Sequence, residues 1–244
     1  LFQLDSLFQT FLIFLKMRYI FLIILSSFLF GACSSAAKET KAQKKQAIVY
    51  KEVEPSQTYG TCLIGEQIWM NQNLNEPHFK NGDAIMHAKT AEEWKKAGGT
   101  GTPAWCYYNN DPKLGEKFGK LYNWYAVNDP RGLAPKGWHM AADSDWKDLK
   151  VALQKQDLDA MALQHSSFIG AYPDADVLHF HAYGSGYRKE SGVFSNIDEY
   201  ASFWSKDTTN GYSANAFHLR KNQFDPLFGS SYRTVGFSVR CLKN

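Results

Sequence analysis

The chain has 244 residues, of which 44% are hydrophobic and 15% aromatic, with 27 Lys and Arg against 24 Asp and Glu. That length holds one sizeable domain or two small ones, and a formal charge of +3 gives no basis for whole-protein attraction to nucleic acid or acidic membrane. Ordinary Gly and Pro contents, the lack of a sustained heptad and aromatic residues throughout exclude collagen-like, coiled-coil and globally disordered classes.

The amino terminus differs in kind from the rest. Residues 1–32 are apolar except for scattered polar positions, and their charges are Asp5, Lys16 and Arg18. Arg18 precedes Tyr19-Ile20-Phe21-Leu22-Ile23-Ile24-Leu25, and Gly31-Ala32-Cys33 supplies small residues before a cysteine. This layout resembles a bacterial lipoprotein signal. Cleavage before Cys33, diacylglycerol on its sulfur and an amide-linked chain on its freed amine would provide the two anchors that durable attachment needs. Met17 is then the expected start, residues 1–32 the signal region and residues 33–47 a small, polar, aromatic-free tether. The implied partner is the lipid bilayer through acylated Cys33, and the implied location is the bacterial cell envelope at the outer membrane, on either face. A single membrane helix over roughly residues 7–32 is the competing reading, since about 20 apolar residues suffice to span.

With Cys33 acylated, Cys62, Cys106 and Cys241 remain, so at most one internal disulfide forms. Cys106–Cys241 is the favoured pair, Cys62 is the alternative partner for Cys241, and three reduced thiols remain open. None has C-x-x-C redox or zinc-knuckle spacing.

From residue 48 to residue 244 the chain reads as one domain. Gly65 separates Cys62-Leu63-Ile64 from Gln67-Ile68-Trp69-Met70, which predicts a hairpin or bulge with Ile64, Ile68 and Met70 available to a sheet face. Thr90-Ala91-Glu92-Glu93 is a capping box; Ala91, Trp94 and Ala97 follow at helical spacing until Gly98-Gly99. The aromatic runs at Trp105-Cys106-Tyr107-Tyr108, residues 121–127 and Gly137-Trp138-His139-Met140 suit strands or anchored irregular segments. Asp143 caps a second predicted helix with Trp146, Leu149 and Leu153 on one face. Short apolar runs then alternate with glycines, and Val235, Phe237, Val239 and Cys241 share one face of a terminal period-2 segment. The helices are too few and too short to cover both faces of a doubly wound sheet, so a compact α+β domain with short helices, small antiparallel sheets and extensive irregular loops is expected.

Several ordered motifs resemble the Fibrobacter succinogenes major paralogous domain family. They are Ile64-Gly65-Glu66-Gln67-Ile68-Trp69-Met70-Asn71-Gln72-Asn73-Leu74, Gly119-Lys120-Leu121-Tyr122-Asn123-Trp124-Tyr125-Ala126-Val127, Leu133-Ala134-Pro135-Lys136-Gly137-Trp138-His139 with Asp145-Trp146, and Gly236-Phe237-Ser238-Val239-Arg240-Cys241. Gly186-Tyr187-Arg188, Gly192-Val193-Phe194 and Phe203-Trp204-Ser205 extend the match across approximately residues 50–243. The resemblance implies a secreted or lipid-anchored bacterial protein with a C-type-lectin-like fold, similar to formylglycine-generating-enzyme domains. It also implies that Trp69, Trp124, Trp138, Trp146 and Trp204 build or border the core, and that Cys241 closes the terminal strand. It carries no catalytic set. Phe180-His181-Ala182-Tyr183-Gly184-Ser185 departs from the family run of Gly-Phe-Ser followed by Pro-Ala-Gly.

Candidate sites are sparse. His179 and His181 would share a face of an extended segment, with Asp174 and Asp176 upstream, the nearest approach to a metal set. Asn128-Asp129 and Asn109-Asn110-Asp111 offer oxygens for calcium, but no EF-hand spacing exists and Asx turns before Pro112 and Pro130 are the favoured explanation. Glu76-Pro77-His78 lacks the asparagine of the sugar-binding Glu-Pro-Asn motif. Asp174, Asp176, Asp198, Glu199 and Asp207 permit chance carboxylate pairs. No nucleophile elbow, phosphate loop, His-Glu-x-x-His helix or dinucleotide fingerprint occurs. Tyr107, Tyr108, Tyr122, Tyr125, Tyr183 and Tyr187 are candidate ligand platforms. The expected role is a non-catalytic interaction or structural module of a cell-envelope lipoprotein, with an envelope protein or glycan as partner and no required cofactor. The alternatives are a carbohydrate-binding module and an enzyme with an unrecognised His/Asp/Glu site.

Overall fold

The computed structural model describes residues 59–170 and 172–244; the signal region, Met17, Cys33, the tether and the first residues of the domain lie outside them. The hairpin at Gly65 forms as β1 (Thr61–Ile64) and β2 (Gln67–Met70), in the register Cys62 opposite Trp69. Ile64, Trp69 and Met70 are fully buried, whereas Ile68 is only half-buried.

After β3 (Met86–His87) comes α1 (Ala91–Thr100), entered through the expected capping box. The Thr90 hydroxyl accepts the Glu93 amide at 3.1 Å while the Glu93 carboxylate accepts the Thr90 amide at 3.0 Å. The helix runs past Gly98-Gly99 and stops at Gly101, whose left-handed φ of 67° ends it. Gly98 serves packing instead: a Cβ there would lie 2.9 Å from Thr234 Cγ2.

Next come β4 (Ala104–Cys106), a 3-10 turn at Tyr108–Asn110, α2 (Pro112–Phe118) and β5 (Leu121–Tyr122). The aromatic run then turns into a one-turn helix, α3 (Trp124–Val127), because the Asn123 side chain accepts the Ala126 amide and caps it. After β6 (Trp138–Met140), α4 spans Asp143–Lys155. Its cap is not Asp143. Asp145 accepts the Ala142 amide at 2.7 Å, and the Asp143 amide goes to Asp207 at 2.7 Å. Trp146, Leu149, Ala152 and Leu153 form its buried stripe.

A 3-10 turn (Ala160–Leu163) and α5 (Ser166–Ile169) lead to β7 (Ser185–Arg188), β8 (Phe194–Ile197), β9 (Tyr200–Thr208), β10 (Ser213–Arg220), β11 (Leu227–Tyr232) and β12 (Cys241–Lys243). Among the described residues three sheets form, in the orders β1-β2-β12-β6, β11-β10-β9-β7-β8 and β3-β4-β5. Pairings are antiparallel except β3 with β4 and β7 with β9. This is a mixed α+β architecture with short helices. β12 lies between β2 and β6, so the end of the domain is stitched to its beginning. No described helix is long and apolar enough to cross a membrane.

The terminal period-2 segment is buried on both parities. Val235, Phe237, Val239 and Cys241 enter the core, and so do Gly236, Ser238 and Arg240. Residues 236–238 run through the interior, bridging to Arg188, Tyr122 and Phe203. An aromatic cluster backs them: Trp146 stacks on Phe217 at 4.4 Å and lies 4.6 Å from Trp69, with Phe180 and Phe203 at its edges. Trp204 donates to the Tyr122 carbonyl and Trp124 to the Ser205 carbonyl, so the indoles join sheets as well as fill space.

The expected Cys106–Cys241 bridge does not form, nor does its Cys62 alternative; all three thiols are free and buried. Cys106 packs with Trp94, Ala97 and Leu121, whereas Cys241 packs in the larger core with its sulfur 3.9 Å from Met140 Sδ. Burial pushes Cys62 and Cys106 up to about 12 and Cys241 higher still, which suppresses the reactive thiolate. Titration with a thiol reagent at pH 8 should leave these three thiols unreactive in the native chain and release all of them in urea. Loss of two hydrogens from the intact mass would instead reveal a bridge.

His218 on β10 holds Ser202 Oγ at 2.9 Å from its Nδ1, and burial depresses its pKa from 6.5 to about 4. Protonation therefore favours the unfolded chain. Its contribution is complete above pH 6.5 and is lost as pH falls toward 4, on the order of 3 kcal/mol. Urea unfolding across that range should show this slope, and His218→Gln should flatten it.

Candidate functional site

The side chain that organises this region is Arg240. It is fully buried. Its Nε donates to Asn73 Oδ1 at 2.7 Å, its NH1 to the carbonyls of Met70 and Phe180 at 2.8 and 2.6 Å, and its NH2 to the His181 carbonyl at 3.0 Å. The guanidinium also lies 4.3 Å from the Phe180 ring centroid. Burial lowers its pKa to about 10, partly opposed by the Asp176 carboxylate, so it stays charged at neutral pH. It thus binds residues 70–73, the end of β2 and the stretch after it, to residues 180–181, far along the chain.

Between these two segments opens a cleft of about 460 Å³ lined by Tyr59, residues 71–73, Asn75, Glu76, His181 and Tyr183, with the residues around Gly115–Gly119 forming the opposite wall. That wall fits closely. Gly119 has φ 68°, and a Cβ there would lie 2.9 Å from both Asn73 Cβ and the Leu74 carbonyl. Asn73 Nδ2 donates to the Phe118 carbonyl and to Ser238 Oγ, at 2.8 and 3.2 Å. Tyr59 donates to Glu76 Oε1 at 2.6 Å. Lys120 reaches the Asn75 carbonyl at 2.7 Å and Asn75 Oδ1 at 2.5 Å, with Tyr107 Oη at 3.2 Å. Its ammonium lies over the Trp105 and Tyr107 rings, and burial lowers its pKa to about 8. The cleft is therefore walled by amides and phenols together with the carboxylates of Glu76 and Glu116, Lys117 and His181, on a tightly cross-linked frame.

The six candidate tyrosines do not make one platform. Tyr108 and Tyr122 belong to the core, and Tyr122 Oη donates to the Glu76 carbonyl at 2.7 Å, so neither offers a ring face to solvent. Tyr107 packs edge-on against Trp105, Tyr187 against Phe237, and Tyr125 sits by Gly101. Tyr183 lines the cleft, tilted against His165 at 4.4 Å.

The loop carboxylates proposed for calcium are occupied locally. Asp111 accepts the Lys113 amide at the start of α2, and Asp129 forms a two-pronged pair with Arg131 at 2.8 and 3.0 Å. Asx capping and turn chemistry account for both. Among the four residues considered for a metal, Asp176 and His181 come together through a hydrogen bond between Oδ2 and Nδ1, and Asp176 Oδ1 accepts the His181 amide at 2.7 Å. Asp174 and His179 are outside the converging group; the third member is His165. His165 precedes the other two in sequence without a spacing that marks it, and only the fold brings it near. The amide-rich run Asn71-Gln72-Asn73, with Asn75, is the sequence signal that marks the cleft.

Residues 63–243 match the Fibrobacter succinogenes major domain, and the chain belongs to that family. No curated protein and no solved structure matches the chain.

Replacing Arg240 with Ala leaves three buried carbonyls and the Asn73 amide oxygen without their donor. Urea unfolding should show a loss on the order of 3–5 kcal/mol. Arg240→Lys should fall between, because one ammonium cannot reproduce the planar fork.

Proposed function

We propose that this protein is a lipid-anchored module of the bacterial cell envelope that acts by recognition, with residues 71–76, His181 and Tyr183 forming its binding cleft. The observation that carries this reading is the cleft itself: a preformed concavity of about 460 Å³ in which amide and phenol side chains stand beside Glu76, Glu116, Lys117 and His181. Its frame is held by the Arg240 and Asn73 contacts, so binding would require little ordering of the walls. The buried thiols supply no nucleophile, and Lys120 is engaged by Asn75 and Tyr107.

A C-type-lectin-like layout is part of the proposal. Short helices, small sheets, long irregular connections and membership of the family support it. The lipid anchor is supported by Arg18, the apolar run and Cys33.

Carbohydrate is the ligand class that the lining favours over an extended peptide. The Asn71 and Gln72 side-chain amides offer donors and acceptors suited to hydroxyl groups, while Asn73 and Asn75 Oδ1 are engaged by the frame, and the Tyr183 ring beside them can cover a sugar face. An envelope protein that inserts a polar loop is the other ligand this cleft accommodates.

The full chain should be screened on a glycan array and by pull-down from bacterial envelopes. Retention of a glycan, weakened roughly tenfold by Gln72→Ala and by Tyr183→Ala, is the expected result. Equal retention by both variants would reject the cleft as the binding surface, and glycan silence with one reproducible protein partner would replace sugar with protein. The mature amino-terminal peptide should carry the mass of acylated Cys33; a free Cys33 thiol on a processed chain would reject the anchor.

A further inference from the structure

His165, Asp176 and His181 converge at the edge of the cleft, one ligand atom from each lying within 4.8 Å of the others. We propose that they bind one divalent first-row transition ion of the zinc class, with its remaining coordination positions open toward the cleft that His181 lines.

The donor set selects the ion. Two imidazoles and one carboxylate are the ligands of zinc and ferrous centres that keep open positions, whereas calcium and magnesium prefer all-oxygen shells. The three residues come from separate stretches of chain that the backbone locks together. The His165 amide donates to the Ala182 carbonyl and the Ala182 amide to the Leu163 carbonyl, both at 2.9 Å, while the Asp176 amide donates to the Met161 carbonyl at 3.1 Å. Arg240 holds the Phe180 and His181 carbonyls from below.

The side chains are oriented as well. The Ser167 amide donates to His165 Nδ1 at 3.1 Å and Ser167 Oγ lies 2.9 Å from the same nitrogen, so the neutral ring carries its proton on Nε2; as the ion binds through Nε2 that proton moves to Nδ1, where Ser167 Oγ accepts it. His181 Nδ1 and Asp176 Oδ2 share a hydrogen. The ion takes that hydrogen's place between them, and the imidazole proton moves to Nε2.

Asp176, His179 and His181 all have φ between 52° and 53°, in the left-handed region. His179 shares that conformation but lies outside the converging atoms, with its ring centroid 5.9 Å from that of His181, and so provides a built-in control. The inference does not depend on which ligand enters the cleft.

The full chain, stripped with a chelator, should be titrated with Zn2+ by calorimetry and with Co2+ by visible absorption. One equivalent per chain is expected, with a cobalt spectrum of low-symmetry nitrogen and oxygen ligation. His165→Gln and Asp176→Asn should each weaken zinc by at least about tenfold, the scale that even outer-shell changes reach, while His179→Ala leaves affinity unchanged. Circular dichroism and urea midpoints identify any variant that has unfolded, and the conservative His165→Gln serves as the deciding one because its side chain is only half-buried. Absence of saturable one-equivalent binding, unchanged affinity in folded His165→Gln, or equal loss in His179→Ala would overturn the site.

Discussion

A single guanidinium, that of Arg240, gives its N–H groups to Asn73 Oδ1 and to the carbonyls of Met70, Phe180 and His181, and so joins parts of the chain more than 100 residues apart. The Phe180 and His181 carbonyls lie in irregular backbone and the Met70 carbonyl at the end of β2, and buried carbonyls need donors. An aliphatic residue at 240 would fill the volume and leave them unsatisfied. Arg188 does the same elsewhere: it donates to the carbonyls of Gly192, Ala88 and Thr90 and lies against Trp94 and Phe194. A domain with so much non-repetitive chain uses buried arginines where a regular sheet would use neighbouring strands.

The candidate site follows from that constraint. Because Arg240 fixes residues 70–73 relative to residues 180–181, the space between them is a cleft with rigid walls. Gly119 lets the third wall approach to contact distance of Asn73 and Leu74. The same clamp holds His181 in a left-handed conformation beside Asp176, within reach of His165. Structural support and candidate chemistry therefore share one set of hydrogen bonds, and a substitution at Arg240 would disturb both.

Local elements were largely legible in the sequence because local chemistry decides them. Thr90 and Glu93 make a capping box whatever surrounds them, Gly65 makes a turn, and Trp146, Leu149 and Leu153 mark a helix face. Other positions are decided by contacts that a pattern does not show: Gly98 lies inside the helix where the approach of Thr234 leaves no room for a Cβ, and α3 forms inside an aromatic run because Asn123 caps it. Tyr108 and Tyr122 look like platforms by composition and are core by position. The cysteines, counted as a possible pair, sit in different packing environments and stay reduced.

By itself the sequence determined the mixed class of this domain, the hairpin and both longer helices, because each rests on propensities, caps and spacings within a few positions of one another. Only the tertiary structure decided that Arg240 is buried, that residues 71–76 face His181 and Tyr183 across a cleft, and that His165 joins Asp176 and His181. Those relations link residues many positions apart through main-chain carbonyls, which every residue carries and no spacing in a sequence can reveal.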